Sequence, residues 1–205
     1  MTVKEALEKR QSIRNFTKEP VSQELLETVI EAGRLAPFAG LAQAGKKDFR
    51  HFFVIRQDSE AAKQLMDLVA AARMADLAEV VEMHLENTYP AYANAVKNMS
   101  GKPPADLFCS PLLIVVAERA GRPAREHVAL GYVLSNMWMA ATELGLGMKL
   151  CSGVGDIKDT DALQRLLGLP ENERYAFDGC NIGYAAEELY RKDIRIIPEK
   201  NIVYL

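Results

Sequence analysis

Apolar residues recur with helical spacing in several stretches of the chain. A T-x-x-E capping box predicts a first helix from about Val3 to Lys9. A second helix follows Ser22, whose side chain suits an N-cap, and Pro37 ends it because proline cannot continue a helix. A long helical region is predicted from residues 58–59 towards Glu86, and a short helix from about Asp161 to Leu167.

Four apolar stretches predict β-strands between these helices. His51–Arg56 is rich in aromatic and β-branched residues, which favour strands. Leu112–Ala117 is apolar without alternation, which is typical of a strand covered on both faces. Met148–Ser152 and Ala176–Tyr184 are the two remaining candidates.

Three further stretches are predicted to pack against a second subunit or to form a lid. A helix predicted from Glu126 to Leu144 is apolar on every side and must be buried on every side, which suggests a second subunit over part of it. The tail, about residues 194–205, is extended in character and lacks a hydrophobic partner within its own sequence. Tyr89–Asp106 contains three prolines and reads as an irregular excursion, or lid.

Composition limits the classes of function. The chain has 205 residues, 49% of them apolar, which suits one domain spanning 1–205. Its net charge of -3 provides no field for binding nucleic acid or an anionic membrane. The charged N-terminus and the short aliphatic runs predict neither a secretory signal nor a membrane span, so a cytoplasmic protein is expected. The three histidines are scattered, so no metal site is expected.

The first residues with candidate chemistry are Arg10, Ser12 and Arg14. They follow a predicted helix, and on an extended path side chains at i, i+2 and i+4 project to one side. Two guanidiniums and a hydroxyl would then face one ligand, and arginine suits phosphate and carbonyl oxygens. The alternative is that Arg10 complements the end of the helix and Arg14 is solvated.

This motif, R-x-S-x-R-x-F, resembles that of the nitroreductase family of FMN-dependent oxidoreductases. Further matches follow in order over about Lys4 to Pro198. They are the pairs Pro20-Val21 and Ala36-Pro37, Phe108–Pro111 before an aliphatic strand, Gly131, Asn136, Ala140-Ala141, the turn Leu144–Gly147, and Ile182-Gly183-Tyr184. Each match is short, and the order and spacing carry the assignment.

The resemblance implies an α+β fold, with a mixed, mostly antiparallel sheet flanked by helices, in an intertwined homodimer with two FMN sites at the subunit interface. It implies that the tail wraps onto the other subunit. It also implies cofactor contacts from a set of residues spread along the chain: Arg10, Gln11, Ser12, Arg14, Pro37, Phe38, Gln43, Gly153, Val154, Gly155 and Arg195. No side chain is predicted to act as acid or base.

One loop departs from the family pattern. Where the family commonly has A-P-S-x-x-N-x-Q-P-W, this chain has Phe38 for the serine, Leu41 for the asparagine and Ala44-Gly45 for Pro-Trp, while Gln43 matches. Phe38 would pack on the flavin or occlude it, and thereby narrow the range of acceptors. The alternative is that Phe38 points into the core.

Two further site predictions carry alternatives. The turn Ser152–Gly155 lies where the family places a backbone N–H near flavin N5; as a lone G-x-G it is a poor Rossmann fingerprint, since it lacks the third glycine. Arg195 resembles the family's C-terminal phosphate-binding base, with Arg191 and Lys192 as rivals and a solvated charge cluster as the alternative.

The predicted function is an oxidoreductase that passes hydride from NAD(P)H through flavin N5 to a nitroaromatic, a quinone or a similar small acceptor. The flavin supplies the chemistry, and the protein positions and polarises it. The competing hypothesis is a flavin-binding or sensing module without efficient turnover, which the altered loop favours. A third is a structural dimer that has lost FMN.

Overall fold

A four-stranded antiparallel sheet forms the centre of the molecule. In the computed structural model, which describes residues 1–186 and Val203, the strands follow the order β1-β2-β4-β3. Their bounds are Arg50–Arg56 (β1), Leu112–Arg119 (β2), Gly147–Leu150 (β3) and Tyr175–Gly183 (β4). Every pairing between these strands is antiparallel. A parallel bridge between Ser12 and Met148 extends the sheet beyond β3, so the predicted mixed, mostly antiparallel sheet is confirmed.

Eight helices surround the sheet in the described part of the chain. They are α1 (Val3–Lys9), α2 (Gln23–Arg34), α3 (Gly40–Gln43), α4 (Glu60–Glu82), α5 (Leu85–Thr88), α6 (Pro90–Met99), α7 (Glu126–Glu143) and α8 (Thr160–Leu166). The predicted N-terminal signals are confirmed: Thr2 and Glu5 form a complete capping box, and Ser22 accepts a hydrogen bond from the backbone of Leu25. No helix in these residues is both long and apolar enough to cross a membrane.

Strand β2 is buried on both faces, as its unbroken apolar pattern predicted. Ile114 and Val116 face a core shared with α2 and α7. Leu113 and Val115 face the other core, shared with α4 and α8. The sheet therefore lies between two helical layers, and β3 is the strand at the edge where the Ser12 bridge forms.

The prediction of an irregular stretch from Tyr89 to Asp106 is wrong in its first half, because α6 is regular from Pro90 to Met99. Proline is tolerated in the first turn of a helix, where its missing N–H has no partner to lose. Ala93 and Val96 of α6 are buried in a small separate core with Val80 of α4. The helical region before it ends at Glu82, and His84 adopts a left-handed conformation with φ of 49°.

Two short elements refine the predicted loops. Helix α3 lies within the loop that departs from the family pattern. Gly145 follows the C-cap of α7 with φ of +73°, a left-handed conformation that glycine adopts readily. On α7 itself, Val128 and Tyr132 are 55% and 51% exposed, and Val3 and Leu7 of α1 are exposed as well.

Candidate cofactor site

The Arg10–Arg14 segment runs beside the edge strand β3. Ile13 donates a backbone hydrogen bond to the carbonyl of Met148 at 3.1 Å, and Ser12 forms the parallel bridge to the same residue. Gly147 permits this approach, because a Cβ there would lie 2.8 Å from Cγ1 of Ile13. The strand thus anchors the segment that carries the three predicted ligand-binding side chains.

Helix α7 holds the start of the same segment. The Arg10 guanidinium lies 4.5 Å from the ring centroid of Trp138, which is within cation–π range. The indole Nε1 of Trp138 donates to the carbonyl of Gln11 at 3.3 Å. Arg10 and Gln11 are half-buried, whereas Ser12 and Arg14 are exposed. A hydroxyl and two guanidiniums are therefore available next to β3.

Strand β3 leads directly into the turn predicted to approach flavin N5. Ser152–Val154 forms a short 3₁₀ turn, which begins after Cys151 donates its backbone N–H to Gly179 at 2.8 Å. Gly153 is half-buried at the surface of this turn. Gly155 faces the sheet instead, since a Cβ there would lie 3.1 Å from the carbonyl oxygen of Phe177. Strand β3 thus links this turn to the Ser12 bridge, and Val154, between the two glycines, is buried in the core.

A cavity of about 220 Å³ opens beside this turn, between α4 and α6. Its walls mix apolar and charged side chains. They include Val69, Arg73 and Asp76 of α4, Tyr92, Val96 and Met99 of α6, Asp106, Lys149 and Leu150, and Ser152, Gly153 and Asp156 of the turn. Helix α6 is thus one wall of the cavity, at the position where the sequence predicted a lid.

Most charges around the cavity are paired. Arg73 donates to both carboxylate oxygens of Asp106 at 2.8 and 2.9 Å, and Lys158 lies 3.0 Å from Asp76. The Lys149 ammonium donates instead to the backbone carbonyl of Asp106 at 2.9 Å. Burial, together with the nearby Asp76 carboxylate, raises the pKa of Asp156 above its usual value. The cavity therefore holds acidic groups near the turn as well as cations.

The loop with Pro37 and Phe38 lies at the opposite end of the sheet. Pro37 accepts a hydrogen bond from Arg50, and Arg50 is the cross-strand partner of Glu118 near one end of β2. Met148, the bridge partner of Ser12, is level with the other end of β2, because it pairs with Ile182 and Ile182 pairs with Leu112. Six residues separate the two ends, or roughly 20 Å at strand spacing. One chain therefore does not bring Phe38 together with Ser12.

Phe38 is 48% exposed, so the alternative in which it points into the core is not what the fold shows. Its ring stacks on that of Phe49, with 4.3 Å between the centroids. One face of the phenyl group is thus supported by the protein, and the side chain remains open to a neighbouring molecule.

Gln43 has a different place from the one predicted. Its side chain is 3% exposed, donates to the carbonyl of Arg119 at 2.9 Å and accepts from the guanidinium of Arg119 at 3.1 Å. Arg119 also donates to the backbone carbonyl of Gln43 at 2.8 Å. These contacts make Gln43 an anchor of its loop, and the arrangement does not support a flavin contact by its amide.

The tail base is the remaining predicted ligand. Arg195 and its rivals Arg191 and Lys192 lie outside the described residues, as does the stretch 194–205 apart from Val203. Sequence reasoning also missed residues that shape the site: Arg50, Glu118, Trp138 and Lys149. Trp138 carries a signal that could have been used, since it is the single tryptophan of the chain and lies on a helix.

The chain is similar to known proteins over nearly its whole length. A family model described as the nitroreductase family matches residues 7–184. The chain belongs to the nitroreductase family. Two curated relatives are each 26% identical to this chain. One is YfhC of Bacillus subtilis, provisionally named an NAD(P)H nitroreductase, and the match covers 85% of this chain and 80% of the relative. The other is an Archaeoglobus fulgidus protein, provisionally named an NADH dehydrogenase/NAD(P)H nitroreductase, and the match covers 93% of this chain and 91% of the relative.

Solved structures confirm the nitroreductase fold. A nitroreductase of Bacteroides fragilis, crystallised with bound FMN, superposes with a TM-score of 0.72 at 19% identity and covers 100% of this chain and 99% of its own. A BluB-like flavoprotein of Clostridium difficile gives 0.71 at 18% identity with the same coverage. The family predicted from the R-x-S-x-R-x-F motif and its companions is confirmed by the family model.

Proposed function

We propose that this nitroreductase-family chain is an FMN-dependent oxidoreductase that takes hydride from NAD(P)H and passes it to a small planar acceptor, such as a nitroaromatic or a quinone. The observation that carries the proposal is the continuity of the Arg10–Arg14 segment, β3 and the Ser152–Val154 turn. Together they give cations, a hydroxyl and close-lying backbone along one edge of the sheet. FMN, when bound, supplies the redox chemistry through its N5 position.

The residues at this edge suit such a cofactor. Arg10 and Arg14 offer charged donors for a phosphate and for the electron-rich edge of the flavin, and Ser12 offers a hydroxyl. A fixed guanidinium stabilises the negative charge that reduction places on the flavin pyrimidine. Trp138 holds the Arg10 guanidinium and β3 holds the backbone of the segment before any ligand arrives, which reduces the entropy lost on binding.

We assign Pro37 and Phe38 to the cofactor site of the partner subunit in a homodimer. The distance between Phe38 and Ser12 within one chain supports this assignment. The apolar surface left on α1 and α7 supports the homodimer itself. Each site would then combine the Arg10–Arg14 segment of one chain with the Phe38 loop of the other.

We propose that the acceptor reaches the flavin through the cavity beside the turn. It adjoins Gly153, and Tyr92, Val96 and Met99 of α6 form its outer wall. A phenyl group from the partner subunit's Phe38 would limit the space from the other side. Planar acceptors fit such a slot better than bulky ones, and water is excluded from the reacting centre.

Two measurements test the function. The purified protein should show the visible absorbance of a flavin, and anaerobic mixing with NADH or NADPH should bleach it. Addition of a nitroaromatic or a quinone should then restore the oxidised spectrum over repeated turnovers. A colourless protein that does not take up added FMN would contradict the proposal.

The second candidate is a flavin-binding module without efficient turnover. The exposed Phe38, which packs against Phe49, supports it, because an exposed phenyl ring would be free to cover a flavin face. In that case the absorbance would be present, but neither NADH nor NADPH would bleach it at a useful rate. The cytoplasmic location expected from composition stays a prediction under either function.

A further inference from the structure

We propose that Arg50 is a positioning residue that fixes the Ala36–Phe38 turn, so that Phe38 limits the size of acceptor admitted at the partner subunit's flavin. The inference rests on the proposed function. It assigns to a buried residue at one end of the sheet an effect on the specificity of a site it does not touch.

The Arg50 guanidinium joins two parts of the chain that are distant in sequence. On one side it forms a bidentate ion pair with Glu118, its cross-strand neighbour, at 2.6 and 3.1 Å. On the other side it donates to the carbonyls of Gly33 at 3.1 Å, Ala36 at 3.0 Å and Pro37 at 3.4 Å. The end of α2 and the turn that follows are thus fastened to β1 and β2 through one side chain.

The contact is buried and directional. The side chains of Arg50 and Glu118 are 6% and 1% exposed. Burial raises the pKa of Glu118, while the hydrogen bonds and charge of Arg50 oppose that shift and favour the carboxylate. A buried ion pair is weak evidence for stability, since an apolar pair often serves as well. A planar donor aimed at successive carbonyls, in contrast, is well suited to fixing a backbone shape.

A second contact carries the constraint on to Phe38. The Arg50 guanidinium lies 5.5 Å from the ring centroid of Phe49, and the Phe49 ring supports that of Phe38 at 4.3 Å. The backbone of the turn and the direction of its exposed phenyl group are therefore both set by residues packed around Arg50. Lysine at this position would keep the charge and lose the fork that reaches several acceptors at once.

The test compares acceptor discrimination in the variants Arg50→Lys, Phe38→Ser and their combination, as purified holoproteins. For each, kcat/KM is measured with a small and a bulky nitroaromatic and expressed as a ratio. The ratio is unaffected by the fraction of folded enzyme, so a loss of stability alone does not move it. Arg174→Lys, at an exposed ion pair with Asp161, is the control of matched chemistry.

We expect Arg50→Lys to shift the ratio towards the bulky acceptor by about tenfold, the scale on which pocket shape discriminates. Arg174→Lys should leave it unchanged. In the Phe38→Ser background, Arg50→Lys should add little, because residues that act through one another are not additive. An unchanged ratio in Arg50→Lys, or full additivity with Phe38→Ser, would overturn the inference.

A further variant covers the case in which Arg50→Lys does not fold. Glu118→Gln keeps the shape of the partner and removes its charge, and it should shift the ratio in the same direction by a smaller factor. An unchanged ratio there also overturns the inference. If the wild-type protein reduces no acceptor at all, the proposed function fails instead, which separates the two ideas.

Discussion

At the scale of single residues, Arg10 shows how one side chain is prepared for an anionic ligand. Its guanidinium rests on Trp138, and Trp138 in turn holds the backbone of Gln11. The cation is thus held in position without an acidic partner among its described contacts. An arginine of this kind keeps its charge available to a phosphate or to a reduced flavin.

Replacing Arg10 and Arg14 by alanine should weaken FMN binding. Each loses a charged hydrogen bond worth about 1.5–3 kcal/mol, which is roughly tenfold or more in the dissociation constant for each residue. Titration of the apoprotein with FMN, followed by quenching of flavin fluorescence, measures the change. Arg56→Ala, at an exposed pair with Asp58, is the control and should bind as the wild type does. Equal retention of FMN by the double variant would show that the segment is not the cofactor site.

The three cysteines should differ in reactivity. Burial raises the pKa of Cys151 to about 12 and raises that of Cys180 well above its usual value, while Cys109 is only half-buried. Because the thiolate is the reactive form, a thiol reagent at neutral pH should modify one cysteine in the native protein and three after denaturation. Mass spectrometry of the labelled peptides identifies the site. Rapid labelling of Cys151 or Cys180 in the native protein would mean that the reagent has access to the cores packed against the sheet.

At the scale of elements, the helix α6 of one subunit and the Phe38 loop of its partner would form the two sides of the proposed acceptor slot. Phe38 is exposed on a turn held by Arg50, and α6 presents Tyr92, Val96 and Met99 to the cavity. Neither element belongs to the sheet, so either one can vary while the Arg10–Arg14 segment and β3 keep their places.

Phe38→Ser should widen this slot. The variant is expected to accept bulkier nitroaromatics at a higher kcat/KM, while its FMN affinity holds or improves because a hydroxyl replaces the phenyl group. Steady-state kinetics with acceptors of graded width measure the effect. A fall in thermal stability with the same acceptor profile would make Phe38 a packing residue, and the narrowing hypothesis would be wrong.

Some elements can be predicted from local sequence signals, and others cannot. Helices α1 and α2 were predicted within a residue or two because their caps are local signals, read from Thr2, Glu5 and Ser22. Helix α6 was missed because Pro90 was interpreted as a break, although it stands in the first turn. The separation of Phe38 from Ser12 depends on the order of the strands, which no local pattern encodes.

The same limit applies to the site. Arg10, Ser12 and Arg14 were identified because their alternation is itself a spatial pattern on an extended path. The pairing of Arg50 with Glu118 needs the register of β1 and β2, and the two residues are 68 positions apart. Gln43 was assigned to the site by its match to a motif, whereas its side-chain amide is hydrogen-bonded to both the backbone carbonyl and the guanidinium of Arg119.

At the scale of the whole molecule, one chain leaves several large apolar side chains exposed on its surface. Val3 and Leu7 on α1 are exposed, as are Val128 and Tyr132 on α7. Burying such a surface against a second copy contributes free energy in proportion to the area removed from water. The proposed homodimer would cover it.

Sedimentation should accordingly show a dimer at all practical concentrations. Removal of residues 194–205 should weaken or unfold it, because obligate dimers often lack a stable folded monomer. The same truncated chain, examined by circular dichroism, separates loss of assembly from loss of fold. A well-behaved full-length monomer would refute the assembly.

The distance between the Arg10–Arg14 segment and Phe38 has a genetic consequence. If each chain contributes one half to two different sites, damaging substitutions should fall into two complementation groups. Arg10→Ala/Arg14→Ala disables one half, and Phe38→Asp, which sets a carboxylate against the flavin, disables the other. Co-expressed in equal amounts, the two inactive chains should restore about a quarter of all sites, since half of the dimers are mixed and each mixed dimer holds one intact site. Two variants from the same group should restore nothing.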